Sequence, residues 1–194
     1  MSQILIVYTS NAGSTPEVAR TIAETLEQKG HQVSAETMAK VTDISAYDAV
    51  LVGAPMIVGW HGDAMKFIRK HQKVLAGKKC AYFCTLISLT QDNTQTVNDI
   101  PVIVDAFTAK QPENLQKLSM HEKYSLPSNY VKPILKQAPQ VKPLSIGLFG
   151  GNLDMGKLNF LQMIFVMAII RATPGDYRNW ALIKSWAENI GDLI

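Results

Sequence analysis

The stretch that decides the fold is Ile4-Leu5-Ile6-Val7-Tyr8-Thr9-Ser10-Asn11-Ala12-Gly13-Ser14-Thr15-Pro16. Its first five residues are a short apolar run rich in β-branched types, which reads as a buried strand over 3–8. The run gives way to a polar loop, and the pattern then changes period. Val18, Ala19, Ile22, Ala23 and Leu26 recur at helical spacing, so a helix is expected from Pro16 to about Lys29. Pro16 suits a first turn, and Gly30 suits the position just past a helix end. A strand that feeds a polar loop and then a helix is the opening of a parallel α/β sheet.

The rest of the chain repeats that alternation. A second strand is expected over 32–37 and a third from Ala49 to Ala54, closed by Gly53-Ala54-Pro55. A helix over 63–72 turns Met65, Phe67 and Ile68 inward. The fourth strand reads as Cys80 to Ile87, and the fifth as Leu144 to Phe149, ending at Gly150-Gly151. A last helix over 178–190 sets Trp180, Ile183, Trp186, Ala187 and Ile190 along one face. More than fifty residues separate the fourth and fifth strands, far more than one crossover helix needs. A helix from Tyr130 to Gln137 accounts for part of them. Residues 91–128 read as an insertion, with an apolar knot at Ile100-Pro101-Val102-Ile103-Val104 and no clean period. Insertions at such a place are often functional lids, with padding as the plain alternative.

Composition bounds the function. A chain of 194 residues with 47% hydrophobic and 18% charged residues fits one globular domain, here 1–194. The formal charge of +3 and pI of about 8.8 are only mildly basic, and no Lys/Arg run forms a phosphate-backbone stripe, so nucleic acid is not an expected partner. The apolar run at the N-terminus has no basic leader and is too short for a signal-peptide core, so a cytoplasmic location is expected. Cys80 and Cys84 are the two cysteines. On one strand their Cα atoms stand roughly 13 Å apart, beyond the limit of about 7 Å for a disulfide. They read as buried thiols.

The loop 9–15 lies where open parallel sheets bind ligands, beyond a C-terminal strand end. Thr9, Ser10, Ser14 and Thr15 offer hydroxyls, Asn11 an amide, and Ala12-Gly13 close backbone approach. The loop runs into a helix N-terminus, whose N–H groups and dipole favour a phosphate. Other phosphate loops are eliminated. Gly-x-Gly-x-x-Gly is absent, no Gly-Lys-Ser/Thr closes the loop, no Cys-x5-Arg occurs, and the first strand does not end on an acidic residue. What survives is a phosphate held by hydroxyls and amides without a cationic side chain; a plain polar turn ahead of a helix is the alternative.

The loop Ser10-Asn11-Ala12-Gly13-Ser14-Thr15 resembles the flavodoxin phosphate loop, Thr/Ser-x-Thr-Gly-x-Thr, departing from it at Asn11-Ala12. The segment Gly53-Ala54-Pro55-Met56-Ile57-Val58-Gly59-Trp60-His61-Gly62 resembles the Gly-x-Pro-Ile-x-x-Gly loop of flavodoxin-like oxidoreductases. The resemblance implies an α/β flavodoxin-like fold, a five-stranded parallel sheet in the order 2-1-3-4-5 with helices on both faces and an insertion between strands 4 and 5. It implies FMN as cofactor, with Pro55, Met56, Ile57, Val58, Gly59 and Trp60 along the ring, and with Thr85, Leu86, Ile87, Ser88, Leu89 and Thr90 as the other flavin loop. Trp60 would supply an aromatic surface to the ring or merely cover the core edge. His61 would donate near the flavin or substrate, or stand solvated. No metal site is expected.

The C-terminal quarter narrows the resemblance. Gly150-Gly151-Asn152-Leu153-Asp154, an apolar stretch over 157–172, and Asp176-Tyr177-Arg178-Asn179-Trp180 are together similar to flavodoxin-like proteins related to menaquinone-dependent protoporphyrinogen oxidase. Asp154 enters the cofactor site by that likeness. The apolar helix, at about thirteen residues over 158–170, is too short to span a bilayer, which takes ~20 residues. It would be buried, contact a second subunit, or touch the inner face of a membrane. The function implied is an FMN-dependent oxidoreductase that takes electrons from a small organic donor to a quinone-like acceptor. The alternatives are an electron carrier between protein partners, and a binding module that has lost FMN.

Overall fold

Near-continuous apolar runs form the sheet. The structure, a computed structural model, describes every residue except 11–13, 57–58, 113, 115 and 154–173. The chain runs β1 (Gln3–Tyr8), α1 (Ser14–Gln28), β2 (Gln32–Thr37), a 3-10 turn at Met38–Lys40, β3 (Ala49–Pro55), α2 (Gly62–Leu75) and β4 (Lys79–Leu86). After the insertion it resumes with α4 (Pro127–Leu135), β9 (Ile146–Gly150) and a final helix, α5 (Trp180–Leu193). The five long parallel strands stand in the order β2-β1-β3-β4-β9, the flavodoxin-like order expected. The apolar helix expected over 157–172 lies outside the described residues.

Side-chain alternation divides the core between two faces. Ile4, Ile6, Leu51 and Phe83 point to the layer made by α1 and α5, while Leu5, Val7, Val52 and Tyr82 point to α2 and α4. Cys80 and Cys84, four residues apart on β4, share the second face and are both buried free thiols. Burial pushes the Cys80 thiol up to about 12 and that of Cys84 upward as well. Neither can act as a thiolate near neutrality.

Residues 91–128 depart from the expectation of an irregular insertion. They supply β6 (Thr96–Val97), β7 (Ile100–Val104), β8 (Ala109–Lys110), which pairs with β5 (Leu89–Thr90) just ahead of them, and the short helix α3 (Met120–Tyr124). The apolar knot is β7, which adds parallel to β9, and β6 closes the edge, extending the five-stranded core to seven strands. Pro101, whose ring cannot donate to a ladder, is exposed next to the two-residue edge strand. Asp105 fastens the new strand. Its carboxylate, fully buried, accepts the N–H groups of Phe107 at 3.0 Å and Gly150 at 3.2 Å, and its own N–H donates to Leu148 at 3.0 Å. The insertion is thereby tied to the end of β9.

His71 on α2 illustrates the cost of burying a polar ring. It is packed against Phe67 with centroids 4.5 Å apart, and its Nε2 is buried without a hydrogen-bond partner. Desolvation lowers its pKa from the ordinary 6.5, with Lys70 adding to the shift and Asp43 opposing it. The folded state therefore holds the neutral ring, and the unfolded chain binds the proton first. The stability this site contributes is complete above pH 6.5 and falls as the pH drops from there toward the folded-state value. Urea unfolding between pH 7 and 5 is expected to show this loss in the native chain and a smaller loss in His71→Leu.

Candidate functional site

The C-terminal ends of the parallel strands bring four loops to one edge. Thr9 donates its N–H to Gly53 at 3.1 Å, Met56 to Thr85 at 2.9 Å, and Gly151 to Leu86 at 2.7 Å. Each bond ties the residue following one strand to the neighbouring strand's end. At the centre Thr15, fully buried in the first turn of α1, meets Thr85 of β4 hydroxyl to hydroxyl at 2.9 Å. This bond pins the start of α1 against the sheet.

The glycines at the end of β9 show how tightly the parts close. A Cβ on Gly151 would lie 3.3 Å from the carbonyl oxygen of Leu86 and 3.4 Å from Oγ of Ser14. One on Gly150 would lie 1.8 Å from the carbonyl oxygen of Tyr177. Past Gly151, β10 (Asn152–Leu153) pairs antiparallel with β11 (Gly175–Asp176), which returns the chain to this edge. Arg178 then reaches the first turn of α1. It donates to Asp176 at 2.7 and 2.6 Å, donates to Glu17 through Nη1, and lies 4.6 Å above the ring of Trp180. These bonds raise the guanidinium pKa and lower that of Asp176.

Not every residue expected here faces a ligand. Thr9, Ser10 and Ser14 are half-buried at the edge. The Thr15 hydroxyl is turned inward to Thr85 and clasps α1 to β4. Trp60 does not present its ring; it is 7% exposed and packs edge-on against Tyr82, centroids 6.3 Å apart, with its indole N–H buried and unpartnered. An antiparallel bridge between Met56, itself buried, and Trp60 closes the base of the third-strand loop, and Gly59 takes a φ of +87° that favours glycine. Pro55 is half-buried at the strand end. His61 caps α2, its Nδ1 accepting the N–H of Asp63 at 3.3 Å. At the end of β4 and in β5, the side chains of Thr85, Leu86, Leu89 and Thr90 are buried within the protein, and Thr90 donates its N–H to Ser125 at 2.9 Å. The Ile87-Ser88 turn is left half-buried. Asn11, Ala12, Gly13, Ile57, Val58 and Asp154 lie outside the described residues. Arg178, bound to Asp176 and Glu17, is a residue of this edge that the expected site did not include. The Asp-x-Arg turn was legible, but its partner Glu17 stands 161 positions away.

A helix N-terminus backed by hydroxyls, flanked by two strand-end loops and a glycine cradle, defines the phosphate-anchored nucleotide proteins of the doubly wound α/β class. Comparison with protein families matches residues 5–179 to the flavodoxin domain. The chain belongs to that family.

Among solved structures, a short-chain flavodoxin associated with a non-canonical PDU bacterial microcompartment covers 100% of this chain and 99% of its own, at TM-score 0.57 and 11% identity. Oxidised flavodoxin 1 from Bacillus cereus gives 100%, 99%, 0.54 and 12%. The rubredoxin oxygen:oxidoreductase of Desulfovibrio gigas matches 98% of this chain at TM-score 0.54 and 13% identity, but only 35% of that longer protein is covered. At such identities the likeness concerns the fold. No curated protein matches the chain in sequence.

FMN is the cofactor of this flavodoxin-like protein, and its role is FMN-dependent electron transfer. The residues fit the cofactor. First-turn N–H groups of α1 and the hydroxyls of Ser10 and Ser14 suit a phosphomonoester, and the loops after β3 and β4 would flank its flat ring. Among the described residues no cluster of His, Cys, Asp and Glu could hold a metal. Among them, too, no helix is long and apolar enough to cross a membrane.

Proposed function

We propose that this protein is an FMN-dependent oxidoreductase that takes electrons from a small organic donor and delivers them to a quinone-like acceptor. The flavin supplies the redox chemistry when bound, and the chain's residues bind, orient and shield it. Residues 9–15 hold the phosphate, Pro55 to Gly59 line one side of the ring while Trp60 is folded into the core against Tyr82, the Ile87-Ser88 turn meets its polar edge, and Asp154 completes the site. His61 stays with the helix it caps.

The observation that carries the reading is the surface of the insertion. Among the described residues, Ile103, Phe107, Met120 and Tyr124 are exposed, with Phe107 at 69% and Met120 at 84%, more than half of the large exposed apolar side chains. Exposed apolar side chains of this kind suit an apolar small molecule or a lipid-dissolved acceptor better than a charged protein dock. Beside it, Gln91, Asp92, Val104 and Pro127 line a shallow cavity of about 110 Å³. That volume holds only the edge of a large ligand, since enclosed ligand pockets run to ~300 Å³ and more. A donor the size of a protoporphyrinogen would lie over the surface. Peripheral membrane contact and a homodimer through 157–172 belong to this reading, as does a cytoplasmic location.

The second reading, a carrier between proteins, is favoured by a different observation: whole flavodoxins cover this chain end to end. Its mild positive charge argues against it, because net attraction to a basic protein partner would need an acidic balance.

The experiment is anaerobic photoreduction of the flavin-loaded protein, followed by mixing with a soluble quinone or with a ferredoxin-type protein. Rapid reoxidation by the quinone is expected, together with oxidation of a porphyrinogen donor. Turnover with the protein partner alone would reverse the order of the two readings.

A further inference from the structure

The unit at the start of α5 carries more charge than holding a turn requires. Arg178 has a side chain only 7% exposed, yet the carboxylates it binds, Asp176 and Glu17, are 45% and 50% exposed. One carboxylate would satisfy the guanidinium as a fork-to-fork pair, and Asp176 already does so. The second is brought from the opposite end of the chain, from the first turn of α1. Glu17 there is favourable to the bare helix, because an acid near an N-terminus meets the positive end of the dipole. It is unfavourable once a phosphate dianion claims the same helix end.

We propose that Arg178 is a positioning residue for the cofactor's phosphate. It engages the Glu17 carboxylate and offsets its charge, leaving the N-terminus of α1 to the phosphate. Asp176 holds the guanidinium fork in place, and the Trp180 ring covers it. The inference rests on the FMN reading and deepens it: the chain selects the phosphorylated flavin partly through a cation that need not touch it. Without Arg178, Glu17 and Asp176 stand uncompensated beside the loop.

The test is titration of the flavin-free chain with FMN and with riboflavin, which lacks the phosphate, at low and high salt. Arg178→Gln is expected to weaken FMN roughly tenfold at low salt and to change riboflavin by less than about twofold, the difference shrinking as salt screens it. Arg178→Lys keeps the charge without the fork and falls between. Adding Glu17→Gln to Arg178→Gln restores most of the loss. Glu17→Gln alone, which leaves the clamp's other half intact, tightens FMN by roughly threefold. Equal weakening of both flavins by Arg178→Gln, or no recovery in the double variant, or no tightening in Glu17→Gln, overturns the inference. If the native chain itself binds FMN and riboflavin alike, the FMN reading falls first and this inference with it.

Discussion

Replacing Gly150 with alanine is expected to cost about 3 kcal/mol of stability and to abolish tight cofactor binding. The added Cβ would stand 1.8 Å from the carbonyl oxygen of Tyr177, 2.4 Å from its carbonyl carbon and 3.1 Å from the N–H nitrogen of Arg178. All three are backbone atoms, so no rotamer change relieves the overlap. Either β9 or the 174–178 turn must move. If the turn moves, Arg178 leaves Glu17; if β9 moves, Asp105 loses the Gly150 N–H that its buried carboxylate accepts. Both consequences reach the cofactor edge. Gly62→Ala is the control, because a Cβ there meets nothing within 4 Å. Urea unfolding and flavin titration of the two variants are expected to diverge, with Gly62→Ala near the native values.

The second large effect lies in the core. Trp186 on α5 is 2% exposed and stands edge-on to Phe149 and Phe83, with centroids 5.4 and 6.2 Å away. Its indole N–H donates to Ser145 Oγ at 3.0 Å. The two phenyl rings are admitted by glycines. A Cβ on Gly53 would lie 2.0 Å from the Phe83 ring, and one on Gly147 2.3 Å from that of Phe149. Three aromatic rings and two bare sheet positions thus make one packing unit, and the helix docks through it. Trp186→Ala is expected to cost about 3–5 kcal/mol, a large share of the ~5–15 kcal/mol of a typical domain. Trp186→Phe keeps most of the area and loses the bond to Ser145, at about 1 kcal/mol. Chemical unfolding monitored by far-ultraviolet circular dichroism checks both. Because α5 begins just after Arg178, the alanine variant is also expected to loosen the Asp176–Arg178 turn.

The parallel core was legible because strands buried on both faces must be apolar at nearly every position, as 4–7, 49–54 and 80–84 are. Helix ends were legible for similarly local reasons: Pro16 in a first turn, Gly30 past an end. β7 was not. Its residues alternate buried and exposed, Pro101 interrupts it, and its ladder partner β9 lies some forty residues on, so neither periodicity nor proximity marks it as part of the main sheet. Trp60 failed for another reason. A tryptophan in a loop has the same sequence signature whether it faces a ligand or folds back, and Tyr82, which decides the matter, sits on another strand. Thr15 and Thr85 were both legible as site residues but not as partners of each other. Arg178 shows the same limit most plainly: the turn that presents it is local, and the carboxylate that gives it a role is not. Short-range patterns reveal elements; charge and hydroxyl pairings across the sheet edge emerge only from the fold.

The central claim is that hydroxyls and N–H groups at the start of α1 take a phosphomonoester and so seat a flat redox ring across the adjoining loops. Equilibrium titration of the flavin-free native chain with FMN, riboflavin and FAD tests it most directly. One FMN per chain is expected, bound at least about tenfold more tightly than riboflavin and more tightly than FAD. No preference for FMN over riboflavin, or tighter binding of FAD, would contradict it.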